Sequence, residues 1–350
     1  MKIGKRLIGP GKKPFIIAEI AQTHEGSFGQ ALAFIDIAAD CGADAVKFQT
    51  HIAEEESTPQ EPWRIKFSHQ DYSRFDYWKR MSFEKDLWQK LKDYAEQKKL
   101  VFLSSPFSKL AVNWLDDIGI EAWKVASGEV YNEDLLNAIE LTSKPIILSS
   151  GLSNLSKSKS LIKKFEDKNI EVALLHCTTI YPTPAEEIGL NIFEDMKDNL
   201  PNHLPIGLSD HSGKIAPSII ATYLGASIIE VHLTMHKKMF GPDVSSSLDP
   251  QNFSELVKAV HFAFKMSQSK VIKSNQLDNL KVIKDIFGRS LVFDGNLSAG
   301  HIIKKKDIGY KKPGGGLSYK NLELFLGKVL LKNVFKNDKL KPTDIVKSKK

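Results

Sequence analysis

Cysteine is nearly absent from this 350-residue chain: it has two, Cys41 and Cys177. Neither stands in a CxxC or comparable spacing, which excludes a disulfide framework and a cysteine-ligated metal; both read as buried thiols. Long apolar runs are missing too. No stretch approaches the roughly 18 consecutive apolar residues of a membrane span, and the basic start Met1–Lys13 leads into no apolar secretion segment. A cytoplasmic location with no membrane partner is therefore expected. The formal charge is +7, yet there is no helix-turn-helix pattern and no basic stripe interleaved with aromatics, so nucleic acid is not an expected partner.

The charge is unevenly placed. Residues 285–350 hold 15 Lys and Arg against 6 Asp and Glu, a net of +9, which leaves −2 for residues 1–284. A basic C-terminal unit, either a solvated surface or a cover over an anionic site, follows from this. At 42% hydrophobic content the chain can bury a sizeable core and fill two domains.

Short apolar runs ending in polar residues recur through the first 235 positions, separated by segments of helical period. There are eight: Phe15–Ile20, Ala45–Gln49, Val101–Ser104, Trp123–Ala126, Ile146–Ser149, Val172–Cys177, Ile206–Ser209 and Ile228–His232. Ala31–Cys41 reads as a helix closed by Gly42, and Gly119 and Gly225 close later helices in the same way. Eight βα units are the arithmetic of an α/β (β/α)8 TIM barrel, with a doubly wound sheet as the alternative. The barrel is expected over residues 1–270. An aromatic and charged insertion from Ile52 to Ser82 should be ordered, over the barrel mouth or at a subunit contact. A linker is expected over 271–286 and a small domain over 287–350. Within the small domain Asn296–Ile308 aligns without gaps on Asn333–Ile345, each half reading as a turn, a short strand and an Asp-capped turn.

In such a barrel the catalytic groups stand at the C-terminal strand ends, and those ends carry chemistry. Lys47 and Lys124, together with the strand-end hydroxyls Ser104, Ser105, Ser127, Ser149, Ser150, Thr178, Thr179 and Ser209, suit a small multiply charged anion. His211 and His232 close adjacent strands and can reach one point as neutral imidazoles toward Mn²⁺, Fe²⁺ or Zn²⁺. Glu19, Glu129 and Asp243 supply carboxylates that could orient a hydroxylated substrate or move protons. The competing readings are ordinary strand-end histidines and acids that merely pair with neighbouring bases.

These residues and their order resemble the sialic acid synthase family, the N-acetylneuraminate or nonulosonate synthases with a C-terminal antifreeze-like (SAF) domain. The carriers are Phe15-Ile-Ile-Ala-Glu-Ile-Ala-Gln-Thr-His-Glu-Gly26, Val46-Lys-Phe-Gln-Thr-His51, Ser104-Ser-Pro-Phe-Ser108, Trp123-Lys-Val-Ala-Ser-Gly-Glu129, Ile147-Leu-Ser-Ser-Gly151, Leu175-His-Cys-Thr-Thr-Ile-Tyr-Pro-Thr-Pro184, Gly207-Leu-Ser-Asp-His-Ser212 and Glu230-Val-His232. The resemblance implies condensation of phosphoenolpyruvate with an open-chain N-acylated amino sugar, in a domain-swapped homodimer. It implies that Lys47, Ser105, Lys124, Ser127, Ser149, Thr179 and Ser209 hold phosphoenolpyruvate. Glu19, Gln49, Tyr181, Asp243 and Lys312 would face the sugar, and Glu19, Glu129 and Lys124 would be catalytic. His211 and His232 would bind a divalent metal, Mn²⁺ foremost, with Mg²⁺ or Co²⁺ as options. Two positions depart from the family pattern: Thr179 stands where Asn is common, and Lys312 where Arg is common. The alternatives from the residues themselves are a metal-free Schiff-base aldolase using Lys124 or Lys47, and a non-catalytic carbohydrate- or nucleic-acid-binding protein.

Overall fold

The protein was analysed as a computed structural model, described over residues 1–269 and 280–346. It divides into two compact units, Met1–Ser269 and Lys270–Lys350. The first is built on eight parallel strands: β1 (Phe15–Ala21), β2 (Ala45–Thr50), β3 (Val101–Pro106), β4 (Trp123–Val125), β5 (Ile146–Ser149), β6 (Val172–Cys177), β7 (Ile206–Asp210) and β8 (Ile228–His232). They pair in the order β3-β2-β1-β8-β7-β6-β5-β4. The first strand pairs in parallel with the last, and β3 runs against β4 with no ladder between them. This near-closed ring is a TIM-type barrel and rules out the doubly wound alternative, in which the chain's first and last strands would not be neighbours.

Strand parity sorts the core into two layers. Ile16, Ala18, Ile20, Val46, Phe48, Leu174, Leu208, Ile229 and Val231 face outward and pack on the helices. Their alternates Phe15, Ile17, Ala45, Leu103, Ala122, Ile147, Ala173, Leu175 and Ile228 fill the lower barrel, where Ile3 and Ile8 of the N-terminal hairpin join them as a plug. One step further along each strand the inward position turns polar, and this layer is the site.

The first helix spans Phe28–Asp40, a turn earlier than the apolar period indicates, because Ser27 caps it and accepts from the Gln30 N–H. Gly42 follows its end at φ 83°. The insertion holds two short helices, Ala53–Glu56 and Arg74–Met81, the second opened by a Ser73–Asp76 capping box. Arg80 ties this segment to the loop after β1. It pairs bidentately with Asp71 at 2.8 and 2.7 Å and reaches Glu25 Oε2 at 2.8 Å. Gly26 is required here: its φ is 74°, and a Cβ would fall 2.1 Å from the Arg80 carbonyl oxygen.

Of the expected linker, residues 271–279 lie outside the described residues, and Lys281–Phe287 is a helix. The second unit pairs β9 (Ser290–Phe293) with β10 (Ile308–Lys311) antiparallel around Leu291, Phe293, Ile303, Leu322, Phe325, Leu330, Val334 and Leu340. The sequence duplication is a pseudo-twofold in space. Leu297 bridges its own counterpart Val334. Asn333 Oδ1 accepts from Ala299 N, and Asn296 Oδ1 accepts from Lys336 N, each at 2.8 Å. Asp307 and Asp344 close equivalent turns by accepting from Lys304 N and Lys341 N, again at 2.8 Å.

Candidate active site

The polar layer is centred on Glu230, which the register of β8 sets beside Ser209 of β7. Its Oε1 accepts from Ser209 Oγ at 3.0 Å and lies 3.4 Å from Lys124 Nζ and 3.7 Å from Lys47 Nζ. Lys47 also reaches Glu19 Oε2 at 2.7 Å and Ser105 Oγ at 3.4 Å. Lys124 donates to Ser149 Oγ at 2.7 Å. All seven ionisable or hydroxyl groups are buried. Two lysines, two glutamates and three hydroxyls thus share one floor.

Burial sets their protonation. It opposes the charge on Lys47, but Glu19 and Glu230 overcome it and hold that ammonium above the ordinary lysine pKa. On Lys124 burial wins against the pull of Glu230, with Lys47 adding repulsion, and the pKa falls. Burial pushes Glu19 up, against the pull of Lys47, and Glu230 adds to the rise. Glu230 itself is pushed up by burial yet held ionised, below the ordinary range, by Lys124 and Lys47. The floor therefore divides its charge unevenly: a firm Lys47⁺ and Glu230⁻, a labile Lys124 and Glu19.

Ser127 begins a 3₁₀ turn, Ser127–Glu129, after β4. It meets Thr179 and Cys177 around Gly151, where a Cβ would stand 3.1 to 3.2 Å from all three. Gly151 thereby lets the loops after β4, β5 and β6 converge above Lys124 and Ser149. Thr179 is exposed at this rim. Cys177, as read from sequence, is a buried thiol; burial pushes its pKa up to about 11, which leaves it unreactive.

Above the floor opens a cleft of about 830 Å³. Gln49, Glu129, Tyr181, Asp243 and His232 line it, together with residues of the insertion. The insertion therefore stands over the barrel mouth. Gln49 Nε2 donates to Glu19 Oε1 at 2.9 Å. Glu129 accepts from Asn132 at 2.8 Å, and burial raises its pKa. Arg64, which the sequence did not mark, stacks 4.4 Å over the Tyr181 ring and reaches Asp243 at 3.4 Å. Gln22 is buried against the cleft, and among the described residues neither of its amide atoms has a hydrogen-bond partner. Glu230 was visible as a strand-end residue but not as the hub. Parity was the signal, since it sits two positions before His232 on the inward face. For Arg64 no local signal existed. Lys312 belongs to the second unit, with its ammonium 5.3 Å from the Phe287 ring centroid.

The two histidines come together with ring centroids 5.2 Å apart. His211 Nδ1 bonds the Thr178 carbonyl at 2.7 Å, so Nδ1 carries the proton and Nε2 the lone pair, which accepts from Tyr181 OH at 3.0 Å. Burial, with His232 nearby, brings the His211 pKa down to about 3. His232 Nδ1 is buried and, among the described residues, has no hydrogen-bond partner. His211, kept neutral by its lowered pKa, and the imidazole of His232 beside it fit a divalent ion whose remaining positions go to substrate and water. Among the described residues no group of three or more His, Cys, Asp or Glu converges to complete such a shell.

No helix among the described residues is long and apolar enough to cross a membrane. Residues 34–272 match the NeuB family and residues 288–346 the SAF domain. The chain is 34% identical to the N,N'-diacetyllegionaminic acid synthase of Campylobacter jejuni, over 94% of this chain and 99% of that protein. It is 31% identical to a pseudaminic acid synthase of the same species, over 98% and 99%. The structure of an N-acetylneuraminic acid (sialic acid) synthetase from Leptospira borgpetersenii superposes with a TM-score of 0.70 at 30% identity, covering 80% of this chain and 94% of that one. Strand-end residues, barrel and tail thus agree with sequence similarity over nearly the full length, and the chain belongs to the NeuB family.

Proposed function

We propose that this sugar acid synthase joins phosphoenolpyruvate to an open-chain 2-acetamido or diacetamido hexose, with water, releasing phosphate and a nine-carbon sugar acid. The observation that carries the reading is the convergence of Lys47 and Lys124 with Ser105, Ser149 and Ser209 beneath an open, carboxylate-lined cleft. Ammonium groups and directed hydroxyls suit a molecule carrying both phosphate and carboxylate, and the cleft above has room for a hexose chain.

In the reaction the enol carbon of phosphoenolpyruvate forms a bond to the sugar's aldehyde carbon, whose oxygen takes up a proton. Water adds at the adjacent carbon, and the C–O bond to phosphate breaks. Lys47, held charged, anchors the anion. Lys124 and Glu19, whose ionisation burial opposes, are suited to gain or lose a proton as negative charge arrives and departs. Glu129, raised by burial, is a proton source at the cleft wall. His211 and His232 would hold a divalent ion, Mn²⁺ foremost, which would supply Lewis acidity at the aldehyde oxygen. Gln49, Tyr181 and Asp243 orient hydroxyls. In a swapped homodimer Lys312 of a second copy would cover the acyl group.

One observation favours a second reading: the lowered pKa of Lys124 is what a Schiff-base nucleophile needs. Phosphate release from phosphoenolpyruvate, with a panel of acetamido hexoses and with chelated or Mn²⁺-restored enzyme, decides. Release that needs both sugar and metal supports the synthase. Metal-independent turnover with borohydride trapping on Lys124 would replace it with the aldolase.

A further inference from the structure

We propose that Arg64 is a specificity-determining residue of the cleft, whose guanidinium donates to the carbonyl oxygen of the sugar's N-acyl group. The proposal rests on the synthase reading above and deepens it.

An open-chain acylated amino sugar brings two kinds of oxygen to the cleft. Its hydroxyls donate as well as accept, whereas the acyl carbonyl oxygen only accepts. The walls are rich in carboxylates, Glu55, Glu61, Glu129, Asp134 and Asp243 among them, and an ionised carboxylate also only accepts. Such walls suit hydroxyls and reject a carbonyl oxygen, so the acyl group needs a donor set among them. Several of the cleft's other donors are engaged within the protein. Gln49 Nε2 donates to Glu19 at 2.9 Å, Trp78 Nε1 to Glu61 at 2.9 Å, Asn132 Nδ2 to Glu129 at 2.8 Å and Arg74 to the Pro62 carbonyl at 3.2 Å. Arg64 differs. A guanidinium carries several N–H donors, and among the described residues this one makes a single hydrogen bond, a long one of 3.4 Å to Asp243 Oδ1. Its side chain is 45% exposed, and it lines the cleft.

Its placement fits the acyl group. The guanidinium carbon lies 4.4 Å over the Tyr181 ring, and that ring stacks in turn on His211 with centroids 4.1 Å apart. Arg64 thus stands one aromatic ring away from the histidine pair proposed for the aldehyde end. In a 2-acetamido sugar the acyl nitrogen is bonded to the carbon next to the aldehyde, so an aldehyde at the histidines brings the acyl oxygen to this flank. Stacking restricts the guanidinium while leaving its N–H edges to other partners. The chain that carries it is anchored as well. Trp63 packs edge-on against Phe67 at 5.5 Å, Phe67 edge-on against Tyr77 at 5.1 Å, and Trp78 stacks on the His51 ring at 4.0 Å. A donor held this way loses little freedom when the sugar binds. Recognition of the acyl oxygen then belongs to the barrel unit itself, and Lys312 of a second copy would close over a group already bound.

The test compares two probes that cannot react because they lack the aldehyde, a 2-acetamido hexitol and the plain hexitol of the same configuration. Their dissociation constants are measured by calorimetry on the full chain with phosphoenolpyruvate present. The wild type should prefer the acetamido probe by roughly ten- to a hundredfold, the range for a hydrogen bond to a charged donor. Arg64→Met keeps an apolar stem over Tyr181 and removes every donor, so it should bind both probes alike, and as the wild type binds the plain one. In turnover its sugar KM should rise by the same factor, with kcat and the KM for phosphoenolpyruvate unchanged. Equal weakening of both probes would reveal a merely structural role, and a preference retained in Arg64→Met, or absent from the wild type, would equally overturn the proposal. Phosphate release by the wild type judges the synthase reading separately. If no acetamido hexose supports release, that reading fails, while the pair of hexitols still decides whether Arg64 meets an acyl oxygen.

Discussion

Glu230 is the residue on which the floor of the barrel depends, because it is the carboxylate that both ammonium groups meet. Removing one partner of a buried charge cluster costs roughly 3–5 kcal/mol, since the charge left behind has neither water nor a counterion. Glu230→Gln should therefore lower Tm clearly in the free protein. A phosphate-bearing ligand would restore the missing negative charge, so phosphoenolpyruvate should raise the Tm of Glu230→Gln more than that of the wild type. Equal ligand shifts in both proteins, measured by thermal melts across a phosphoenolpyruvate titration, would mean that Lys47 and Lys124 do not meet the anion. Glu129 gives a prediction with pH. Burial raises its pKa in the fold, so the folded state binds more protons than the unfolded state between the ordinary carboxylate pKa and that raised value. Its contribution to stability is full below that window and is lost as pH rises through it. Glu129→Gln should gain Tm relative to wild type on going from pH 4 to neutrality; a Tm difference flat with pH would show that the carboxyl is not desolvated.

At the scale of elements, the strands were legible because each obeys the same arithmetic: alternate residues inward, apolar below and polar above. Phe15, Ile17 and Glu19 on β1 and Ile228, Glu230 and His232 on β8 follow one rule, and the register brings His232 level with Glu19. The apolar runs gave the strand limits to within a residue or two, and the strand ends gave Lys47, Lys124, Ser149, Ser209, His211 and His232 as neighbours. The pairing among them was not readable, because whether Lys47 meets Glu19 or Glu230 depends on barrel curvature. Nor were the roles of the insertion, since Arg64 over Tyr181 and Trp78 over His51 join segments far apart in sequence with no periodic signal between them. Arg80 holds that insertion in place, and Gly26 makes room for its backbone. Gly26→Ala meets both a left-handed φ and the Arg80 carbonyl, a cost of about 1–3 kcal/mol or more. The expected outcome is a loosened Arg74–Met81 helix, read as faster amide exchange there, with sugar KM raised and exchange in β5 to β7 unchanged. Uniformly faster exchange would mean that the loop supports the whole barrel rather than its mouth.

For the whole molecule the question is where the positive charge of the second unit acts. Residues 285–350 carry a net +9, whereas in the cleft Glu55, Glu56, Glu61, Glu129, Asp134 and Asp243 outnumber Arg64, Arg74 and Lys109. In the proposed swapped homodimer the basic unit of one copy would cover the acidic mouth of the other, an arrangement that opposite charges would favour. The distinction is testable by mixing two inactive chains. Lys47→Ala destroys a barrel floor but leaves a normal tail; Lys312→Ala leaves a normal floor and damages a tail. If tails are exchanged, each mixed dimer contains one site built from the intact floor of one chain and the intact tail of the other. After denaturation and corefolding in equal amounts, half the dimers are mixed and about a quarter of all sites should be whole. If each tail serves its own barrel, every site in the mixture keeps one lesion and activity stays at the sum of the parents. Phosphate release from the corefolded mixture, set against each parent refolded alone, separates the two arrangements, and a sedimentation measurement on the same sample shows whether dimers formed at all.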